Sequence, residues 1–148
     1  MPNLVKLHSP PATPSMIFAC IDKRLPGEGM EAGLFLSGYR PVGFTKKMIV
    51  ILDKDIDPTN LNRVIQAMGT RWQPDPASLI VKQSFHIPLE PSSKEMFLSS
   101  KIIIDATRQM ESEGGPETFP LDNRTALEEK AEESFEIVDK RWDEYFAK

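Results

Sequence analysis

The chain has 148 residues, of which 40% are hydrophobic and 27% are charged, and its formal net charge is −4. This length fits a single folded domain with its own core, and the negative charge argues against general nucleic-acid binding, which needs a basic surface. No stretch approaches the roughly 20 apolar residues of a membrane-spanning helix, and the single cysteine cannot form an internal disulfide, so we expect a cytoplasmic protein without a membrane or nucleic-acid partner.

The first half of the chain is predicted to contain an arm, two buried strands and a weak helix. Pro10, Pro11 and Pro14 disfavour regular structure in residues 1–15, and we interpret this segment as an N-terminal arm. Unbroken apolar runs predict buried strands over 16–21 and 48–52. Cys20 lies in the first of them, which predicts a buried structural thiol. The segment 30–38 is a helix candidate weakened by two glycines.

An amphipathic helix is predicted after an acidic turn that follows the second strand. Asp57 is a suitable N-cap, with Pro58 in the first turn, and Gly69 is a suitable stop. The apolar side chains between them recur at the spacing of one helical face; they are Leu61, Val64, Ile65 and Met68.

The rest of the predicted domain contains two further strands, over 78–82 and 101–104, separated by an irregular proline-containing stretch. Strands that alternate with helices are typical of the α/β class. We therefore predict one α/β domain over 16–110, with a mixed, mostly parallel sheet flanked by helices. The polar segment 111–124, rich in glycine and proline, is predicted to be a linker loop.

A long C-terminal amphipathic helix is predicted over 125–147. Thr125 and Glu128 fit a capping box, and apolar residues then recur every three or four positions. We expect the aromatic stripe to form an assembly surface, because tryptophan and tyrosine are common interface anchors; the alternative is that it packs on the sheet of its own chain. The residues of this predicted oligomer interface are Phe135, Val138, Trp142 and Tyr145.

The sequence contains no motif of a self-contained catalytic or metal site. The two histidines are not spaced as metal ligands, and no phosphate-binding glycine loop occurs. The alternating aspartates of 53–57 resemble a calcium loop, but Pro58 stands where glycine is required and Val64 where glutamate is required. We interpret them as one helix-capping aspartate and two solvated ones. His86 is expected in a loop beside an apolar wall, with a role in a pocket left open.

Six short motifs, in chain order over about residues 15–108, resemble the UbiD-type decarboxylases, the family of 3-polyprenyl-4-hydroxybenzoate decarboxylase. Each motif is weak alone, but their order and spacing match the C-terminal domain of these enzymes. The motifs occupy residues 23–27, 44–47, 53–57, 70–71, 88–91 and 105–107.

The resemblance implies roles for four residues. The family's cofactor, prenylated FMN, is bound mainly by a separate N-terminal domain that also supplies the catalytic arginine and two glutamates, so we expect this chain alone to bind no cofactor and to contain no catalytic residue. Lys47 is implied to reach the cofactor's phosphate, and a one-residue slip in the match would assign this role to Lys46. Ile87 and Leu89 are implied to line the substrate pocket. The alternatives are that Lys47 is an ordinary solvated lysine and that Ile87 and Leu89 are ordinary core residues. Arg71 is expected to brace the domain.

The resemblance therefore implies a small subunit of a prenylated-FMN-dependent decarboxylase or carboxylase that acts on an aromatic or unsaturated acid. It would dock on a UbiD-type catalytic subunit in a homo- or hetero-oligomer. A non-catalytic assembly or regulatory module, and a fragment of a longer enzyme, are the alternatives. The initial methionine and the capped final helix favour a separately encoded chain over a fragment.

Overall fold

A computed structural model describes residues 3–88, 91–93, 95–119 and 132–146. These belong to two compact units, Met1–Glu117 and Thr118–Lys148. The first unit contains a five-stranded sheet with the order β1-β2-β3-β5-β4. The strands are β1 Leu4–His8, β2 Met16–Ile21, β3 Met48–Asp53, β4 Ser78–Phe85 and β5 Leu98–Ala106. The helices of this unit are α1 Glu28–Gly38, α2 Arg40–Gly43 and α3 Leu61–Arg71, and a 3-10 turn follows at Glu111–Glu113.

The sheet is mixed, as predicted. The central pairs, β2 with β3 and β3 with β5, are parallel. The edge strands β1 and β4 pair antiparallel with their neighbours. The centre of β3, from Ile49 to Leu52, is buried throughout, which explains its unbroken apolar run, because a strand covered on both faces has no solvent side.

Alternate side chains of the central strands build one apolar core on each face of the sheet. On one face Cys20, Val50 and Leu52 pack with Val64 and Ala67 of α3. The opposite core joins Ile17, Ala19, Ile21, Ile49, Ile51 and Ile103 to Ala32 and Leu36 of α1. The Cys20 thiol is buried, as predicted, and burial raises its pKa to about 11.

Two glycines allow α1 to lie close to β5. A Cβ atom at Gly29 would overlap the carboxylate of Asp105, and one at Gly33 would overlap the side chain of Ile103. Glycine weakens an isolated helix by about 1 kcal/mol relative to alanine, which made this helix hard to predict. The same two glycines permit the close packing of α1 on the sheet, which only the tertiary structure shows.

Several predicted boundaries are wrong. The predicted arm contains β1, because Pro10, Pro11 and Pro14, which disfavour regular structure, all follow His8. Helix α3 is capped by Asn60, whose side chain accepts the N–H groups of residues 62 and 63, rather than by Asp57. It also continues past Gly69 to Arg71. Leu61 and Ile65 are exposed, so the buried face of α3 is narrower than the predicted stripe.

The described part of the second unit contains two short helices, α4 Glu132–Lys140 and α5 Trp142–Phe146, separated at Arg141. The predicted single helix over 125–147 is not confirmed, and its residues 125–131 and 147 lie outside the described residues. Among the described residues, every helix falls short of the length and apolarity needed to cross a bilayer.

Candidate functional site

A buried lysine holds the carboxyl ends of β2 and β5 together. Lys23 Nζ donates to the carboxylate of Glu113 at 2.6 Å and to the hydroxyl of Thr107 at 3.0 Å, and it lies 4.0 Å from the carboxylate of Asp105. Burial opposes ionisation of Glu113, but the hydrogen bonds from Lys23 and from two backbone N–H groups outweigh it and lower the pKa of Glu113. The motifs at 23–27 and 105–107 therefore meet in one charged cluster.

A second charged cluster occupies the carboxyl end of β3. Arg71 donates to Asp53 at 2.6 Å and to Asp55 at 3.1 Å, and Arg108 donates to Asp55 at 2.8 Å. Burial raises the pKa of Asp53, although the backbone N–H of Arg108 and the charge of Arg71 oppose this. The interpretation of these aspartates as solvated is wrong for Asp53, whose side chain is 13% exposed, and holds for the ion-paired Asp55, whose side chain is 43% exposed. Arg71 braces the domain as predicted. Asp57 accepts the backbone N–H and the hydroxyl of Thr59.

The carboxyl edge of the sheet is thus occupied by the protein's own charges. Ligands of open α/β sheets commonly bind at this edge, but here the acidic and basic groups already satisfy one another. Among the described residues, no group of histidine, cysteine and carboxylate side chains is arranged to hold a metal ion. We therefore regard these clusters as structural and place the candidate site elsewhere.

Lys46 and Lys47, at the opposite edge of the sheet, have different surroundings. The ammonium of Lys46 is buried and donates to the hydroxyl of Ser9 at 2.8 Å and to the carbonyl of Pro14 at 2.6 Å. Burial lowers its pKa. Lys46 therefore ties the segment between β1 and β2 to the start of β3. The half-buried Lys47 instead donates from Nζ to the hydroxyl of Ser92 at 2.9 Å.

Lys47 lines an open cavity of about 480 Å³ at the amino edge of β3 and β5. An ammonium beside several hydroxyl groups is a donor set suited to a phosphate, with Glu95 as the acidic member of the lining. The lining thus offers the cation and the hydroxyl donors that a phosphate group would need. Its lining residues are Lys47, Gln83, Ser92, Ser93, Glu95, Leu98, Ser99 and Ser100.

The predicted pocket-wall residues lie in the segment after β4. Ile87 is half-buried, and its N–H donates to the carbonyl of Phe44, in the segment that leads to Lys47. Leu89 lies outside the described residues. His86 is buried; its Nδ1 lies 3.1 Å from the carbonyl oxygen of Ile87, and its Nε2 has no hydrogen-bond partner among the described residues.

The predicted interface stripe is exposed where it is described. Val138, Trp142 and Tyr145 have 39%, 54% and 51% of their surface exposed. Phe135 lies in α4, but its side chain falls outside the described part of the structure. The role of the stripe in assembly stays a prediction.

Sequence reasoning missed the buried lysine Lys101, which directly precedes the apolar run 102–104 of β5. Its ammonium donates to the carbonyls of Ser37 and Gly43, at 2.9 and 2.8 Å, near the carboxyl ends of α1 and α2. A lysine adjoining a run of three isoleucines was the signal that could have found it. A second cavity of about 350 Å³ lies beside it, and its lining residues are Ser37, Gly38, Arg40, Phe44, Ser84, Phe85 and Lys101.

Fold and cavity together define the class of this chain: an α/β domain with a lysine-bearing, hydroxyl-lined cavity at the amino edge of a mixed sheet. Residues 1–106 match the family model of the 3-octaprenyl-4-hydroxybenzoate carboxy-lyase C-terminal domain. The chain therefore belongs to the UbiD family.

Three relatives illustrate the match. Phenolic acid decarboxylase of Bacillus subtilis is 30% identical over 64% of this chain and 20% of its own length. The vanillic acid decarboxylase structure of Sedimentibacter hydroxybenzoicus in closed form has a TM-score of 0.74 and 27% identity, over 91% of this chain and 29% of that chain. The UbiD-class enzyme HmfF from Pelotomaculum thermopropionicum, in complex with FMN, shares the fold with a TM-score of 0.68 and 24% identity, over 84% of this chain and 28% of that chain. The chain thus spans less than a third of each.

Proposed function

We propose that this chain is the small subunit of a prenylated-FMN-dependent UbiD-type decarboxylase or carboxylase acting on an aromatic or unsaturated carboxylic acid. It would supply a wall of the cleft and oligomer contacts to a UbiD-type polypeptide that carries the cofactor domain, which we call the cofactor chain. The observation that carries the proposal is that a domain of this family presents Lys47 in an open cavity. The phenolic and vanillic acid decarboxylases among its relatives support an aromatic substrate.

In this proposal the chain's own residues bind and enclose rather than react. Lys47 would hold the phosphate of prenylated FMN as a point charge, with the neighbouring serine hydroxyls as additional donors. The modified flavin, when bound, carries the carbon–carbon bond chemistry, and the cofactor chain supplies the acid–base groups. Ile87 and Leu89 would exclude water from the substrate. The single thiol, buried in β2, supports a cytoplasmic setting.

The proposal predicts that the chain purified alone contains no flavin and does not release CO2 from aromatic acids, whereas mixing it with the loaded cofactor chain of the same organism restores turnover. Absorbance of the purified chain and CO2 release by the mixture measure this. Stoichiometric flavin in the isolated chain, or a cofactor chain whose turnover is unaffected by this chain, would contradict it.

The second candidate is a non-catalytic assembly or regulatory module, favoured by the exposed Val138, Trp142 and Tyr145. It predicts an oligomer of the chain alone, measurable by light scattering. Trp142→Ser should disperse this oligomer, whereas Ile137→Ser, an equally exposed neighbour outside the predicted stripe, should not.

Replacing Lys47 by alanine should weaken cofactor retention in the reconstituted complex by about 1–3 kcal/mol, the range for hydrogen bonds to charged groups. Flavin occupancy and kcat/KM of the complex measure the effect. Lys54→Ala, which removes an exposed lysine at the other edge of the sheet, is the matched control. Lys46→Ala should affect occupancy less and stability more, because its ammonium is bound by Ser9 and Pro14. Unchanged occupancy and kinetics in Lys47→Ala would remove Lys47 from the site.

A further inference from the structure

Two pairs of half-exposed aromatic side chains lie at the end of α1 and on the β4–β5 hairpin, and Arg40, which follows Tyr39 in the chain, contacts the second pair. Phe35 stacks on Tyr39 with ring centroids 5.6 Å apart. The guanidinium of Arg40 lies 4.9 Å from the ring centre of Phe85, which in turn stacks on Phe97 at 6.0 Å. Each of the four rings is 44–48% exposed. We call these five residues the aromatic row.

The exposed area of the aromatic row is comparable to that of the largest apolar patch on a typical monomer. An aromatic side chain contributes about 150–250 Å² when fully buried, so four half-exposed rings leave roughly 400 Å² in water. Met96 and Leu98, the neighbours of Phe97, are exposed as well. Apolar patches of about 300–600 Å² are commonly functional, and one side of a standard interface covers about 800 Å². The aromatic row would therefore supply about half of the area that one partner contributes to a standard interface.

The backbone beside the row adopts a conformation that non-glycine residues avoid. Phe97 has φ 64° and Gln83, across the hairpin, has φ 52°. Both angles lie in the left-handed region, which costs such residues of order 1–3 kcal/mol. The backbone N–H of His86 donates to the carbonyl of Phe97 at 3.0 Å and holds this arrangement. Strained backbone positions of this kind cluster at functional sites.

The aromatic row borders the Lys47 cavity. Leu98, which follows Phe97, and Gln83, which lies two residues before Phe85, both line that cavity. A partner whose cofactor phosphate reached Lys47 would therefore also meet Phe85 and Phe97. This step rests on the proposed function, which assigns the phosphate to the cofactor chain.

We infer that the aromatic row is the surface on which the cofactor chain docks, through an apolar patch with a carboxylate opposite Arg40. Arginine and tyrosine are enriched among interface residues that dominate binding. Arg40 and Lys101 line the adjoining cavity without a carboxylate among its described lining residues, so an acidic partner complements it. A second copy of this chain fits less well. Arg40 lies within the row, and a two-fold axis that passes close to Arg40 would bring two guanidinium groups together.

The test measures the dissociation constant between this chain and the purified, flavin-loaded cofactor chain by calorimetry. Arg40→Glu and Phe97→Asn should each weaken binding about tenfold or more. Asparagine tolerates the left-handed backbone, so the second variant removes the ring without new strain. The matched control is Ile65→Ser, which removes an equally exposed apolar side chain from α3. Circular dichroism and the Tm of each isolated variant verify folding.

Tight binding of wild type and Ile65→Ser, with weakened Arg40→Glu and Phe97→Asn, supports the inference. Equal binding by wild type and the three variants overturns the inference but leaves the proposed function standing. The same holds if Ile65→Ser weakens binding as much as the two row variants do. Absence of binding by wild type overturns both. Self-association of wild type that the row variants abolish assigns the row to a second copy and overturns the inference. A Tm lowered only in the row variants, with unchanged binding, assigns the row to the chain's own fold and also overturns it.

Discussion

Lys23→Met is expected to lower the free energy of unfolding by about 3–5 kcal/mol, the range for removing one partner of a buried ion pair. The side chain of Lys23 is only 3% exposed, and its ammonium is the cation that meets Glu113 and lies near Asp105. Methionine fills similar volume but leaves Glu113 in a poorly hydrated site. Urea denaturation at neutral pH measures the loss. Lys54→Met is the matched control, because Lys54 is 63% exposed and pairs with Asp22 at the surface, where such pairs contribute about 0–1 kcal/mol.

The same variant should change the acid dependence of stability. In the native protein the pKa of Glu113 is lowered, so the folded state binds its proton less tightly than the unfolded chain does. The pair therefore stabilises the fold above the unfolded pKa of about 4.3, and this contribution is lost as pH falls through the lower folded value. Without Lys23 the folded pKa should rise, so the difference between wild type and variant should shrink in acid. A difference in Tm that stays constant between about pH 3 and pH 7 would contradict this account.

Arg71→Met is expected to lower the free energy of unfolding by about 2–4 kcal/mol, because it leaves two adjacent carboxylates without their shared cation. Arg71 and Asp53 are each 13% exposed, and Arg71 also donates to Asp55. The cluster joins the ends of β3 and α3 to the segment after β5 through Arg108. Chemical denaturation measures the change. Arg24→Met, which removes a 73% exposed arginine paired with Asp22, should have little effect.

The loss in free energy of unfolding caused by Arg71→Met should depend on pH in a defined direction. Burial already raises the pKa of Asp53 above its ordinary value, and removing Arg71 should raise it further. A folded-state pKa above the unfolded one means that ionised Asp53 destabilises the fold at neutral pH and that the penalty shrinks as pH falls through the raised value. The loss should thus be largest near pH 7 and smaller near pH 4. If the loss in free energy of unfolding grew as pH fell, the ionised carboxylate of Asp53 would not be its cause.

Much of the architecture could be predicted because its signals are local. The unbroken apolar runs of β2 and β3 predict strands covered on both faces, since a strand with a solvent side would alternate. The family could also be identified from the sequence, because its short motifs keep their order and spacing. Strands β4 and β5 were predicted too short, since their ends are stabilised by pairing with each other rather than by composition.

Contacts between distant parts of the chain decided the rest. No property of Lys46 or Lys47 by itself shows that the first ammonium is bound by Ser9 and Pro14 while the second donates to Ser92. The glycines of α1 weaken the helix as a sequence and allow its close packing in the fold.

The sequence by itself determined the α/β class, the buried strands and the family, because apolar runs and motif order are properties of neighbouring residues. Only the tertiary structure decided that Lys23 and Arg71 stabilise the carboxyl edge, that Lys47 faces a cavity at the other edge, and which aromatic side chains form one surface. These depend on pairs of residues that lie from 12 (Phe85 and Phe97) to 90 (Lys23 and Glu113) positions apart, and a charged or aromatic side chain acquires a role only from the groups that the fold brings within a few ångströms of it.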